Sequence, residues 1–336
     1  MRANLAALVT LRLLQRAQRP ATPGEQAVLA RWSGWGAVPE VFTHDRFGWA
    51  REQLAELLSP AELAAARRST LNAHYTDLRL VRQVWAALAR LGFAGGRVLE
   101  PGCGSGNFIA AAPDTAHMVG VEVEPVTAAI AAALYPHAQI LAESFADTVA
   151  PDGSFDLVVG NVPFAKAALS DPVHNRAGHS LHNHFILKSL HLVAPGGLVA
   201  VITSRYTLDA ANPAARREMA QLADLVGAIR LPETAHLRAA GTKVVTDLLV
   251  LRRREPGRHP ATTSWERTRQ IDLDGEQVRI NDYFHDHPEM VCGRLQTGRG
   301  AYTDTDLTVV ADLDACLLYT SPSPRDVEES RMPSSA

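Results

Sequence analysis

Apolar positions change their period along this chain of 336 residues. At the start, Leu5, Leu8, Leu11 and Leu14 recur in three-residue steps, which predicts an amphipathic helix. Thr22-Pro23-Gly24-Glu25 then reads as a helix start, with Thr22 as cap and proline in the first turn. After a loop rich in Gly and Trp (Trp32, Gly34, Trp35, Gly36), Ser59-Pro60-Ala61-Glu62 opens an alanine-rich helix with capping-box spacing. Residues 1–70 are therefore expected to form a helical N-terminal extension that covers the rest of the fold.

From about residue 76 the pattern becomes an alternation of short apolar runs with helical stretches. Strands are predicted at 97–100, 117–123, 138–141, 155–160, 197–204, 226–231 and 243–251. Helices are predicted at 79–92, 107–112, 125–134, 181–193 and 213–223. This order implies an α/β fold over residues 71–256 with a doubly wound, seven-stranded, mostly parallel sheet. Only the loop 232–242 separates the last two strands, so they should pair as an antiparallel hairpin at an edge. Residues 257–315 are polar, show a strand pair near 269–280, and are expected to begin a truncated downstream region. Residues 316–336 include the Ser- and Pro-rich run from Thr320, have no periodicity, and are expected to be a non-native tail.

Composition narrows the class. At 46% hydrophobic and 21% charged residues, the chain has material for a large core. No apolar run approaches the roughly 18 residues of a membrane span, and Arg12 and Arg16 interrupt the first helix, which does not read as a signal peptide. Cys103, Cys292 and Cys316 are far apart, which argues against a disulfide framework and for a cytoplasmic setting. The net charge of −3 does not advertise nucleic-acid binding. The arginines at 252, 253, 254 and 258 form a cluster whose ordinary reading is a solvated face and whose alternative is phosphate contact.

Three motifs carry chemistry. Leu99 to Phe108 (LEPGCGSGNF) follows a strand and opens a helix, with glycines that let the backbone turn and approach a ligand. A dinucleotide fingerprint would match Gly102 and Gly104 but places Asn107 at its third glycine, and a turn without ligand is also open. In Val119 to Pro125 (VGVEVEP), Glu122 at a strand tip can accept hydrogen bonds from both ribose hydroxyls of a nucleoside. Asn161-Val162-Pro163-Phe164 ends the fourth strand, where open sheets bind ligands; an ordinary Asn-x-Pro turn is the plain alternative. The residue types suit an aromatic amine, a poor nucleophile whose lone pair is delocalised. The Asn161 side-chain oxygen and the Val162 carbonyl can hold its two N–H bonds, proline stiffens the loop, and Phe164 can stack on a base.

With these residues the chain resembles the N6-adenine DNA methyltransferases whose tetrapeptide is Asp/Asn/Ser-Pro-Pro-Tyr/Phe, over about residues 70–252. The resemblance implies a Rossmann-like methyltransferase sheet and S-adenosylmethionine as cofactor. It implies that Glu100, Pro101, Gly102, Cys103, Gly104, Gly106, Asn107 and Phe108 bind the methionine part, and that Glu122 and Val123 meet the ribose side. Tyr75-Thr76 matches an upstream cofactor contact, Ser144-Phe145 flanks the adenine, and His236 stands where relatives place an aromatic against the target base. Val162 replaces the usual proline; because a backbone carbonyl acts there, activity is expected to survive. The segments ATPGEQAVLARWSGWGAVPE, STLNAHYT, GNVPF and AGTKVVTDLLVLRR are similar to the methylase portion of large phage- and plasmid-borne proteins. That subgroup implies a helicase-like region in the full-length protein, DNA as partner, and protection of mobile-element DNA from restriction.

His174, His179, His182, His184 and His191 crowd one segment, but no Asp, Glu or Cys at ligand spacing completes a zinc signature within it, so no metal is expected. Ser204 and Thr207 lack a His–Asp pattern, which leaves hydrolase chemistry unsupported. Two alternatives stay open: a methyltransferase of RNA amino groups or protein glutamine, and a non-catalytic DNA-binding module of a helicase-like protein.

Overall fold

The computed structural model describes residues 1–36, 38–70, 76–165, 167–237, 243–298 and 306–311. Tyr75 and the tail from residue 316 lie outside them.

The periodicity at the N-terminus becomes α1 (Arg2–Ala17), whose Leu5, Leu8, Leu11 and Leu14 are all buried. Helices α2 (Pro23–Leu29) and α4 (Pro60–Ser69) each carry a complete capping box, Thr22 with Glu25 and Ser59 with Glu62. Each box satisfies backbone donors that the first turn would otherwise leave without a partner. Between them lies α3 (Gly48–Leu57). Helix α5 (Leu78–Arg90) follows, capped by Asp77.

The sheet has seven strands: β1 (Gly96–Pro101), β2 (Ala116–Val121), β3 (Gln139–Leu141), β4 (Phe155–Asn161), β5 (Val193–Ser204), β6 (Ala223–Leu231) and β7 (Thr246–Arg253). Their order is β3-β2-β1-β4-β5-β7-β6. Strands β1 to β5 are parallel, while β7 runs antiparallel to both β5 and β6. The expected hairpin of the last two strands is therefore present with a difference. Strand β7 inserts between β5 and β6, and β6 takes the edge.

Alternation along the strands explains the double winding. In β5, Leu198, Ala200 and Ile202 join the cluster containing α1 to α5, while Val199 and Val201 join the opposite cluster. Helix α7 (Pro125–Leu134) belongs to the first layer, and α8 (Leu181–Leu192) with α10 (Ala214–Leu222) to the second. A short helix, α6 (Asn107–Ala110), follows β1. The N-terminal extension is fastened to the first layer by Trp32, whose Nε1 donates to Thr127 Oγ1 at 3.1 Å.

The polar segment after the sheet is better ordered than its composition suggests. Strands β8 (Thr268–Leu273) and β9 (Glu276–Asn281) pair around Asp274-Gly275, both at positive φ, the geometry of a tight primed hairpin turn. A second pair, β10 (Arg294–Gly298) with β11 (Asp306–Val310), lies beside it. Trp265, Val278, Ile280, Leu307 and Val309 enter the second core layer. Among the described residues no helix is long and apolar enough to cross a membrane.

Candidate active site

The carboxyl ends of β1, β2 and β4 open onto one cavity of about 440 Å³. The glycine turn forms its floor. Gly102 sits at φ +75°, and a side chain there would press on Pro163 at 3.4 Å, so the turn and the tetrapeptide are packed against each other. Gly106 sits at φ +89°, where a Cβ would lie 2.6 Å from the Tyr135 ring. Both positions need glycine for conformation, and Gly106 needs it for space as well.

Glu122 reaches back to this turn. Its Oε2 accepts from the Gly104 N–H at 2.9 Å and its Oε1 from the Glu124 N–H at 2.8 Å. Each oxygen keeps a lone pair for a ribose hydroxyl. Burial raises the Glu122 carboxyl to about 7 against the opposing pull of those backbone donors. Glu100 lies deeper, 3% exposed, with Oε2 buried and without a hydrogen-bond partner. Burial and the nearby Glu122 push it well above its ordinary value. The second acid of the motif, Glu124, has a different task. It caps α7, accepting from the N–H groups of Val126 and Thr127 and from the Thr127 hydroxyl.

Most of the expected site residues meet here. Thr76, Glu100, Gly102, Cys103, Gly104, Asn107, Phe108, Glu122, Val123, Ser144, Phe145, Asn161 and Pro163 line the cavity. Asn107 Nδ2 donates to the Thr76 carbonyl at 2.8 Å, which ties the segment before α5 to the turn. Phe145 is buried with its ring centroid 4.8 Å from that of Phe185. Val162 is 1% exposed and its N–H donates to the Ile202 carbonyl at 3.0 Å, so the tetrapeptide is anchored to β5.

Pro101, Gly106, Val162 and Phe164 are not among the lining residues; Phe164 is half-buried. His236 departs from expectation. It does not line the cavity, is 1% exposed, and bonds through Nε2 to Thr246 Oγ1 at 2.9 Å at the start of β7. The arginine cluster also resolves differently. Arg252, Arg253 and Arg254 bond to backbone carbonyls of Gly196, Leu190 and Ala220, and Arg254 pairs with Asp224. Two of these carbonyls lie near the C-terminal ends of helices Leu181–Leu192 and Ala214–Leu222, so the guanidiniums of Arg253 and Arg254 tie those helix ends to β7 and the residue after it.

Sequence reasoning missed the near wall. Gly34, Trp35, Ala65, Arg68 and Ser69 of the N-terminal extension line the same cavity. Among the described lining residues Arg68 is the only cation, beside the carboxylates of Glu100, Glu122, Glu124 and Glu143. The clue was the Gly/Trp-rich loop, whose small residues bring backbone close to the glycine turn. The cavity thus offers carboxylates to cationic or hydroxyl groups, apolar surface at Phe145 and Val123, and one guanidinium to an anion.

Residues 98–185 match the family model described as a methyltransferase domain. The chain is 29% identical over 197 residues to defense against restriction protein B of Escherichia phage P1, covering 57% of this chain and 8% of that protein. It is 30% identical over 198 residues to the type II methyltransferase M.XamI of Xanthomonas campestris pv. amaranthicola, covering 49% of this chain and 35% of that enzyme. The chain thus spans about a third or less of the curated relatives it matches. Among solved structures, one from Listeria monocytogenes assigned to the class I S-adenosylmethionine-dependent methyltransferases superposes with TM-score 0.50 at 15% identity, covering 78% of this chain and 90% of that one. Over residues 98–185 the chain is thus similar to a methyltransferase domain, and its Rossmann-like fold is that of the superposed Listeria structure.

Proposed function

We propose that this chain methylates the N6 amino group of adenine in DNA, as the methylase portion of a larger protein that guards DNA against restriction. The observation that carries the reading is the convergence of Asn161 and Pro163 with the glycine turn and Glu122 on one cavity. A cofactor on the turn and a base at the end of β4 would lie side by side.

The cavity fits S-adenosylmethionine on its own terms. Buried carboxylates without full compensation, Glu100 above all, suit a ligand that brings positive charge. In this reading Glu100 faces the amino group, Glu122 takes the ribose hydroxyls, Phe145 and Val123 flank the adenine, and Thr76 and Asn107 close the methionine end. Bound there, S-adenosylmethionine supplies an electrophilic methyl group on a sulfonium.

The chain's own residues prepare the acceptor. The Asn161 side-chain oxygen and the Val162 carbonyl accept the two amino N–H bonds. Held this way, the nitrogen lone pair leaves the ring system and points toward the cofactor. Pro163, packed on Gly102, keeps the acceptors at a fixed distance from the glycine turn. With the methyl donor held by Glu122, Thr76 and Asn107, the oriented amine would take its methyl group and would release its proton to water. Phe164 stacks on the flipped base.

The names of both curated relatives refer to restriction or methylation. That supports DNA as the acceptor and a protective role. Replacing Asn161 with Ala tests the assignment: methylation should fall by about 10²–10³ while cofactor binding persists. Undiminished activity would sink it.

A further inference from the structure

The histidine-rich segment contains a cluster that the methyl-transfer reading does not use. Asp152 lies in the turn before β4, His174 in the stretch after the tetrapeptide, and His191 near the end of α8. His174 Nε2 is 3.9 Å from Asp152 Oδ1, and His191 Nδ1 is 3.6 Å from Asp152 Oδ2. The two imidazole centroids are 5.2 Å apart, and the three ligand atoms all lie within 4.8 Å of one another. Because β4 begins just after Asp152, this cluster sits at the end of the sheet opposite the cofactor cavity.

We propose that Asp152, His174 and His191 form a structural zinc site that staples the segment following the tetrapeptide to α8 and to the turn before β4. Ligands on a tetrahedral zinc stand about 3.4 Å apart, given bond lengths near 2.1 Å. The observed 3.9 and 3.6 Å separations run to different oxygens, Asp152 Oδ1 and Oδ2, so reaching that spacing takes rotation of the 62% exposed Asp152 side chain together with a small approach of the two imidazoles. Water would complete the fourth position.

Two features separate this cluster from a chance meeting of charged groups. The first is a backing carboxylate. His174 Nδ1, the nitrogen turned away from Asp152, is 3.5 Å from Asp171 Oδ2. Asp171 is itself fixed by His184 Nε2 at 3.0 Å and Lys188 Nζ at 3.2 Å. The carboxylate stands behind the His174 ring within ion-pair range without a hydrogen bond to Nδ1, and would act on a ligating imidazole through its charge. The second is a rigid frame. The Gly153 N–H donates to the His191 carbonyl at 3.0 Å, and the His174 N–H to Asp171 Oδ1 at 3.0 Å. The backbones carrying all three ligands are thus positioned before any ion arrives.

The expectation of no metal rested on the histidine segment alone. The third ligand comes from before β4, and the structure brings it in.

The experiment uses tag-free protein stripped with a chelator and titrated with zinc chloride. One zinc per chain should bind and survive dialysis, and the unfolding midpoint should rise with zinc. Asp152→Asn and His191→Gln should each weaken zinc binding at least tenfold and abolish that rise, with S-adenosylmethionine binding unchanged. Asp152 is exposed, so its variant should fold. A His285→Gln/His287→Gln variant, altering an exposed histidine pair elsewhere, should bind zinc as the parent does. No zinc binding, equal binding by Asp152→Asn, or loss only in the His285/His287 variant would overturn the proposal.

Discussion

Glu122 shows how one side chain can couple cofactor binding to pH. Its carboxyl titrates at about 7, raised by burial. In the proposed site the charged form would accept from both ribose hydroxyls, and the protonated form would give up part of that capacity. Cofactor affinity should therefore rise as pH increases from about 6 to 8, as the site ionises. Glu122→Gln should bind more weakly and lose this dependence, by calorimetry at several pH values; a parallel slope in the variant would contradict the role. The same residue acts on stability with the opposite sign. Its folded pKa exceeds the ordinary 4.5, so its stabilising contribution is complete below that value and lost as pH climbs through about 7. Glu100 pushes the same way. The ligand-free protein should accordingly lose stability over that window, and added cofactor should restore it. A midpoint that rises with pH in the absence of cofactor would count against this picture.

At the scale of elements, the account depends on close packing between a turn, a helix layer and an N-terminal extension. Gly106→Ala places a Cβ against Tyr135 and forces a left-handed backbone on alanine. The strain should cost about 1–3 kcal/mol and weaken cofactor binding, readable in denaturant melts and calorimetry. Trp32 is 2% exposed and bonded to Thr127 on α7. Trp32→Ala should destabilise by about 3–5 kcal/mol and loosen the cavity wall that Trp35 completes. If Trp32→Ala left both stability and cofactor affinity intact, the extension would be no part of the site. These elements also mark what was legible in sequence. Both capping boxes, the strand alternation and the glycine turn are local patterns and appeared where expected. The insertion of β7 between β5 and β6 is a long-range pairing that no local period encodes. His236 was placed by analogy of position, and its bond to Thr246 decided otherwise. Arg68 and Trp35 reach the cavity through tertiary packing, so spacing alone could not assign them.

For the molecule as a whole, the fold divides its two ends. The carboxyl ends of the strands hold the cavity, and the opposite end holds the Asp152, His174 and His191 cluster. Residues 257–298 and 306–311 extend the second core layer through Trp265 and two strand pairs. A ligand that binds only the folded state should stabilise the whole assembly by about 2.7 kcal/mol at a hundredfold excess over its Kd. S-adenosylmethionine should raise the unfolding midpoint accordingly, and the absence of any shift would argue against an intact site. The central claim concerns the acceptor, and one measurement reaches it. DNA incubated with the protein and S-adenosylmethionine is digested to nucleosides and analysed by mass spectrometry. The account predicts N6-methyladenine, present with the parent protein and lost with Asn161→Ala. Unmodified adenine in DNA, with the methyl group found in RNA or protein instead, would contradict it.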